Sequence, residues 1–235
     1  MATCLSIIQS VCKRVGLGSI TSAYSSADTK IQQVVELSAE AGQEIGRRYP
    51  WQVLTKEGTF TTLATEIQGT MSSIASDLDY IINDTIWNRT LRRPVFGPKV
   101  AQQWQQSKAF ALNGPWSSYR IQGDSLRMYP VPVAGQKCYF DYLSRNWVTT
   151  SVGGTASTWT NDNDVPLLDD QLLTLDTIWR WKAAKGLEYA EDFAKSERRI
   201  QDLMTRDAGK DWLTMEGTKY DINPGIVVPS GSWNL

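Results

Sequence analysis

Apolar residues recur at helical spacing near both ends of the chain and alternate in strand-like fashion through its middle. Leu5, Ile8, Val11, Cys12 and Val15 mark one face of a helix predicted over 3–15, which Gly16 and Gly18 stop. A polar loop over 19–27 leads to Asp28, a candidate N-cap for a second helix reaching about residue 48. Ile31, Val34, Val35, Leu37 and Ile45 mark its buried side, and Pro50 ends it. Ala39, Ala41, Gly42 and Gly46 are small enough to let another helix approach closely. Near the other end, Leu172, Leu175, Ile178, Trp179 and Lys182 share one side of a helix over 169–185, with Leu173 and Trp181 flanking. Gly186 breaks it. A last helix over 188–208 carries Tyr189, Phe193, Ile200, Leu203 and Met204 as its apolar positions.

Between these pairs the pattern becomes strand-like. Residues 51–64 read as a strand pair turning at Gly58, and 80–90 as one strand or two short ones split at Asn83-Asp84. The stretch 71–75 has no clear assignment. A short helix over 99–109 places Val100 and Trp104 at helical spacing. The best-defined unit is a β-hairpin over 119–129 with Gly123-Asp124 as a type II′ turn. Its register sets Ile121 opposite Leu126 and Tyr119 opposite Met128 on an apolar face. On the other face Arg120 meets Arg127, an unfavourable pairing of like charges. The two arginines splay into water, share Asp141 on a neighbouring strand, or meet a partner. The chain then continues through Pro130, Pro132 and Gly135 into a third strand of the meander, 138–143. Residues 147–160 have the composition of a loop.

The resulting fold class is α+β. The N- and C-terminal helices, 1–50 and 165–210, form one helical bundle. An antiparallel β-sandwich or meander domain, 51–164, is inserted between them. An extended C-terminal arm follows over 211–235, which has no period yet contains Trp212, Leu213, Tyr220, Ile222, Ile226, Val227, Val228 and Trp233. It is too apolar for a solvated tail.

Composition narrows the function. The formal net charge of −1 draws the chain to neither DNA nor an anionic membrane. It lacks any run of about eighteen apolar residues and the apolar stretch of a signal peptide. The three cysteines, Cys4, Cys12 and Cys138, lack metal-like spacing and fit a reducing compartment. Histidine, the commonest general base and metal ligand, is absent. No phosphate-binding loop, nucleophile elbow or zinc motif is present. Asp162-Asn163-Asp164 begins like a calcium loop, but Leu167 and Leu173 stand where glycine and glutamate are needed. An Asx-rich turn beside a helix N-terminus is the simpler reading. The expected cofactor and metal content is none. Ten tryptophans are many for a core of this size. Trp87, Trp116, Trp147 and Trp159 suggest core packing or, as an alternative function, a tail-associated β-sandwich that binds host-surface glycan.

Three stretches resemble the head-to-tail adaptor, or tail-tube-type connector, proteins of short-tailed bacteriophages. They are Ile86-Trp87-Asn88-Arg89 with Arg93-Pro94-Val95, the hairpin with the Pro-Val-Pro after it, and Asp164-Val-Pro-Leu-Leu leading to Trp179-Arg-Trp181 and Gly186-Leu-Glu-Tyr189. The resemblance implies a non-enzymatic virion protein that forms a homo-oligomeric, dodecameric ring beneath the portal protein. The ring would join head to tail, meet a tail nozzle or other tail proteins, and continue the channel through which DNA passes non-specifically during ejection. It implies assembly in the host cytoplasm, no membrane contact, and an arm (Trp212 to Leu235) that docks on the portal. On that view Arg92, Arg93, Arg120 and Arg127 meet a neighbouring subunit or tail protein, and Asp162, Asp164, Asp169, Asp170 and Asp176 line the channel.

Overall fold

The computed structural model describes residues 2–110 and 116–207. Helices α1 (Cys4–Val15) and α2 (Thr29–Arg48) open the chain. There follow β1 (Thr55–Thr61), β2 (Ile67–Thr70), the single turn α3 (Met71–Ile74), and β3 (Leu78–Ile81). The short strands β4 (Trp87–Asn88) and β5 (Arg93–Pro94) precede α4 (Ala101–Ala109). Strands β6 (Ser118–Gln122), β7 (Ser125–Tyr129) and β8 (Lys137–Ser144) come next. The chain then makes β9 (Val148–Thr149), β10 (Thr155–Ala156) and β11 (Val165–Pro166), and returns to helix with α5 (Asp170–Ala184) and α6 (Ala190–Asp207).

Local chemistry sets the helix ends. The Thr3 hydroxyl accepts from the Ser6 N–H, Asp28 caps α2 through the Lys30 N–H, and Asp169 caps α5 through the Leu172 N–H. Gly16, at φ 78°, closes α1 in the left-handed conformation that glycine adopts without penalty. Helix α5 packs against α1, α2 and α6 together. Burial therefore extends around it to Leu173, Thr177 and Trp181, and the single apolar side expected from its spacing is too narrow.

Two separate apolar clusters result. The helical one joins Ile8, Val34, Leu172, Ile178 and Ile200 to Trp51, Leu54, Leu143, Trp147 and Trp159. The other gathers Phe60, Ile86, Tyr119, Leu126, Met128, Phe140 and Tyr142. Strand β8 serves both. Cys138, Phe140 and Tyr142 alternate into the second cluster, whereas Leu143, one residue out of phase, turns into the helical one. Residues 147–160, expected as loop, carry β9, β10 and two indoles at the heart of the helical core.

Several details of the β region differ from the sequence expectation. Strand β8 is not the third strand of a meander with the hairpin. It pairs along its length with β1, Thr55 opposite Leu143 through Thr61 opposite Lys137, and with β3 and β4 on its other side. The hairpin belongs to another sheet, ordered β2-β7-β6. Its register is as expected, but Gly123 and Asp124 both have positive φ (56° and 59°), which makes the turn type I′. Gly58 is no turn. It lies inside β1, where an added Cβ would stand 2.5 Å from the Phe140 ring, so glycine makes room for that side chain. The split at Asn83-Asp84 is present, with β3 and β4 succeeding each other along one edge of β8.

Candidate assembly surfaces

The Arg120–Arg127 pair is resolved within the chain by a residue that the sequence pattern did not single out. Glu66, just before β2, accepts from Arg127 Nη1 at 3.2 Å and from Lys108 Nζ at 2.7 Å. The Lys108 bond is the main cause of a Glu66 pKa below the usual glutamate value; burial opposes it, and Arg127 adds to it. Asp141 plays no part, because β8 lies in the other sheet. Arg127 is thus an internal anchor between the hairpin, β2 and α4, while Arg120 has no ion pair among the described residues.

Next to this anchor lies an exposed surface of different character. Arg92 is solvent-exposed and left-handed at φ 56°, in a turn closed by the Leu91 N–H donating to Asn88 Oδ1. The Arg93 guanidinium lies 5.8 Å from the Trp116 ring, and Trp116 packs edge-on against Phe96 at 5.8 Å. Backbone bonds hold these pieces in place: Phe96 N–H to Ser117 O, and Tyr119 N–H to Phe96 O.

The acidic run is mostly used internally. Asp162 Oδ1 accepts from the Ala23 and Tyr24 N–H groups and Oδ2 from the Ser22 hydroxyl. Asp164 is fully buried and accepts from the Ser151, Thr160 and Asn161 N–H groups and the Thr160 hydroxyl. In both, burial raises the pKa but is outweighed by those donors, and the net shift is downward. Carboxylates ringed by N–H donors hold turns together and are poorly disposed to a cation, as the Asx-turn reading expects. Asp169 caps α5 and pairs with Arg199 at 3.0 Å. Asp176 is buried and accepts from Trp179 Nε1, Arg180 Nε and the Ser196 hydroxyl. Asp164 and Asp176 therefore cannot line a channel. Asp170 alone of the five is exposed.

One charged cluster escaped the sequence reading. Buried Arg180 reaches Glu40 at 2.7 Å, Asp176 at 2.9 Å, and Glu44, joining α5 to α2. Burial lowers its pKa, but Glu44 and Asp176 reverse that and keep the guanidinium charged. The i, i+4 pairs Glu40/Glu44 and Asp176/Arg180 were the available signal.

Trp104, Trp147 and Trp159 are almost wholly buried, which is core packing; Trp87 and Trp116 are partly exposed. The cysteines are buried and unpaired, and burial, with Asp162 and Asp164 nearby, pushes Cys4 up to about 12. No group of His, Cys, Asp and Glu among the described residues is arranged to hold a metal ion. No helix among them is long and apolar enough to cross a membrane. The proposed arm residues Trp212, Leu213, Tyr220, Ile222, Ile226, Val227, Val228 and Trp233 lie outside the described residues.

Surfaces rich in aromatic groups and arginine have the character of protein contacts. No curated protein is significantly similar to the chain. A family model described as SU10 adaptor protein matches residues 2–219, nearly the whole length. The chain belongs to the SU10 adaptor protein family.

Proposed function

We propose that this phage adaptor forms a dodecameric ring beneath the portal, joins head to tail, and continues the channel through which DNA leaves the head. The family match over residues 2–219 carries this reading. Two features support it. A charged network ties the helices into a firm wall, with Arg180 bridging α2 and α5 and a bidentate Arg48–Glu197 pair bridging α2 and α6. Exposed apolar and aromatic groups, among them Phe96 and Trp116, are available for contacts. The subunits meet head to tail, a heterologous contact that closes into a ring when the rotation allows.

The C-terminal arm, 211–235, supplies the docking element for the portal, and tail proteins bind on the ring's other side. The arm's apolar residues suit burial against another protein, so subunits gather where a portal is already assembled. Removing 212–235 tests this. The truncated protein should keep its circular dichroism and thermal midpoint and lose co-sedimentation with portal rings. Undiminished binding would take the arm out of the mechanism.

A further inference from the structure

Between Asp84 and Asp124 the chain contains Arg89, Arg92, Arg93, Lys99, Lys108 and Arg120 and not one carboxylate. Arg89 and Lys108 are neutralised by Glu57 and Glu66. Arg92, Lys99 and Arg120 have no ion pair among the described residues. Exposed apolar groups lie close to them in the chain: Leu91, Phe96, Val100 and Trp116, from 42% to 60% accessible. The Lys99 N–H donates to Tyr119 O, so this stretch is fastened to β6. An anchored surface of arginine, tryptophan and phenylalanine has the composition of an interface hot spot.

The same chain presents a complement. Glu36, Glu40 and Glu44 recur every fourth residue along α2 and form one exposed stripe. Arg180 binds one oxygen of Glu40 and one of Glu44 while also pairing with Asp176. One guanidinium among three carboxylates leaves an excess of negative charge, and Glu36 adds to it. The Glu40 and Glu44 side chains stay 60% and 58% exposed, each with a carboxylate oxygen that Arg180 does not use. Arg47 and Arg48, at the end of α2, are paired with Asp79 and Glu197; the Glu44 charge also acts on Arg48, so the excess negative charge lies toward Glu36 and Glu40.

We propose that the basic and aromatic surface of one copy, built on Arg92, Phe96, Lys99 and Trp116, docks on the Glu36/Glu40/Glu44 stripe of the next copy. This inference rests on the ring reading above and assigns its repeating contact. Two complementary surfaces on one chain, neither matching itself, suit the head-to-tail contact that a ring requires. The overall charge of −1 argues for a second copy over nucleic acid as the occupant.

Carbodiimide coupling, which joins an amine to a carboxylate only in direct contact, tests this on purified particles assembled from isotope-light and isotope-heavy protein. The expected product is a light–heavy link from Lys99 to Glu36, Glu40 or Glu44. Lys99→Arg should keep incorporation into particles and lose the link. Arg92→Glu with Lys99→Glu should lower incorporation at least tenfold with unchanged circular dichroism. Links between copies only at other positions, or unchanged incorporation of the double variant, would overturn the interface and leave the ring standing. A single copy of this chain per particle, read from the ratio of this protein to the portal by quantitative mass spectrometry, would overturn the ring and the interface together. Retardation of duplex DNA by the wild-type protein, lost in the double variant, would assign the surface to nucleic acid instead.

Discussion

The indole of Trp147 occupies the space where a side chain at Gly42 would begin: an added Cβ would lie 2.3 Å from Trp147 Cζ2. Gly42 thus admits a tryptophan, while Gly46 lies against Leu54 and α2 as a whole packs on α1 and α5. Trp147 Nε1–H donates to Ser157 O at 2.8 Å and its ring meets Trp159 edge-on at 4.7 Å, so it has no freedom to retreat. Gly42→Ala should destabilise the protein by about 1–3 kcal/mol, because overpacking exceeds the roughly 1 kcal/mol gained in helix propensity. Urea unfolding followed by tryptophan fluorescence measures it.

Trp147→Ala should cost about 3–5 kcal/mol through the cavity it leaves. The same titration should show an earlier midpoint and a smaller loss for Trp147→Phe.

Asp77 joins β1, β3 and β8 by accepting from Lys56 Nζ at 2.6 Å, Ser144 Oγ at 2.7 Å and Tyr142 Oη at 2.8 Å. Burial acts to raise its pKa, but those donors prevail and hold it down at about 2, against an ordinary value of 3.8. The folded pKa is depressed, so this stabilisation is fully present above pH 4 and disappears as pH falls toward 2. Asp77→Asn should be less stable at neutral pH and show a flatter decline in thermal midpoint over that acid window. A decline as steep as that of the wild type would assign the acid loss to other carboxylates.

Glu66→Gln removes the charge between Lys108 and Arg127 while Arg120 still faces Arg127 across the hairpin. The expected loss is about 1 kcal/mol, diminishing in high salt as the remaining repulsion is screened. Thermal unfolding at two ionic strengths would reveal it.

Much of this fold was legible, and the misses have a common cause. Periodicity located α1, α2, α5 and α6, with Asp28 as a cap and Gly16, Gly18 and Gly186 as stops, since those signals act within a few residues; the caps Thr3 and Asp169 came with the structure. The hairpin register followed from its two-residue turn. What periodicity cannot show is which strands become neighbours. Only the folded sheets reveal that β8 pairs with β1 and that β7 pairs with β2, and that pairing decides among the open alternatives for Arg127 by giving it Glu66. Gly58 looked like a turn because the Phe140 ring that requires it is distant in sequence. The acidic run looked like one feature because its residues are close in the chain, yet Asp162, Asp164, Asp169 and Asp176 each accept from their own set of donors and Asp170 is exposed.

Arg180→Ala should cost about 3 kcal/mol, since it leaves Asp176 buried with its charge uncompensated. Adding Asp176→Asn should recover part of that loss, and the pair can be compared by denaturant unfolding.

The central claim, an adaptor ring at the head–tail junction, is tested most directly by a cryo-EM reconstruction of that junction in intact particles. The account predicts a closed ring of this chain directly beneath the portal, with α1, α2, α5 and α6 in its wall and density for 211–235 running into the portal. Finding this chain only on the outside of the tail, with another protein filling the position beneath the portal, would contradict it.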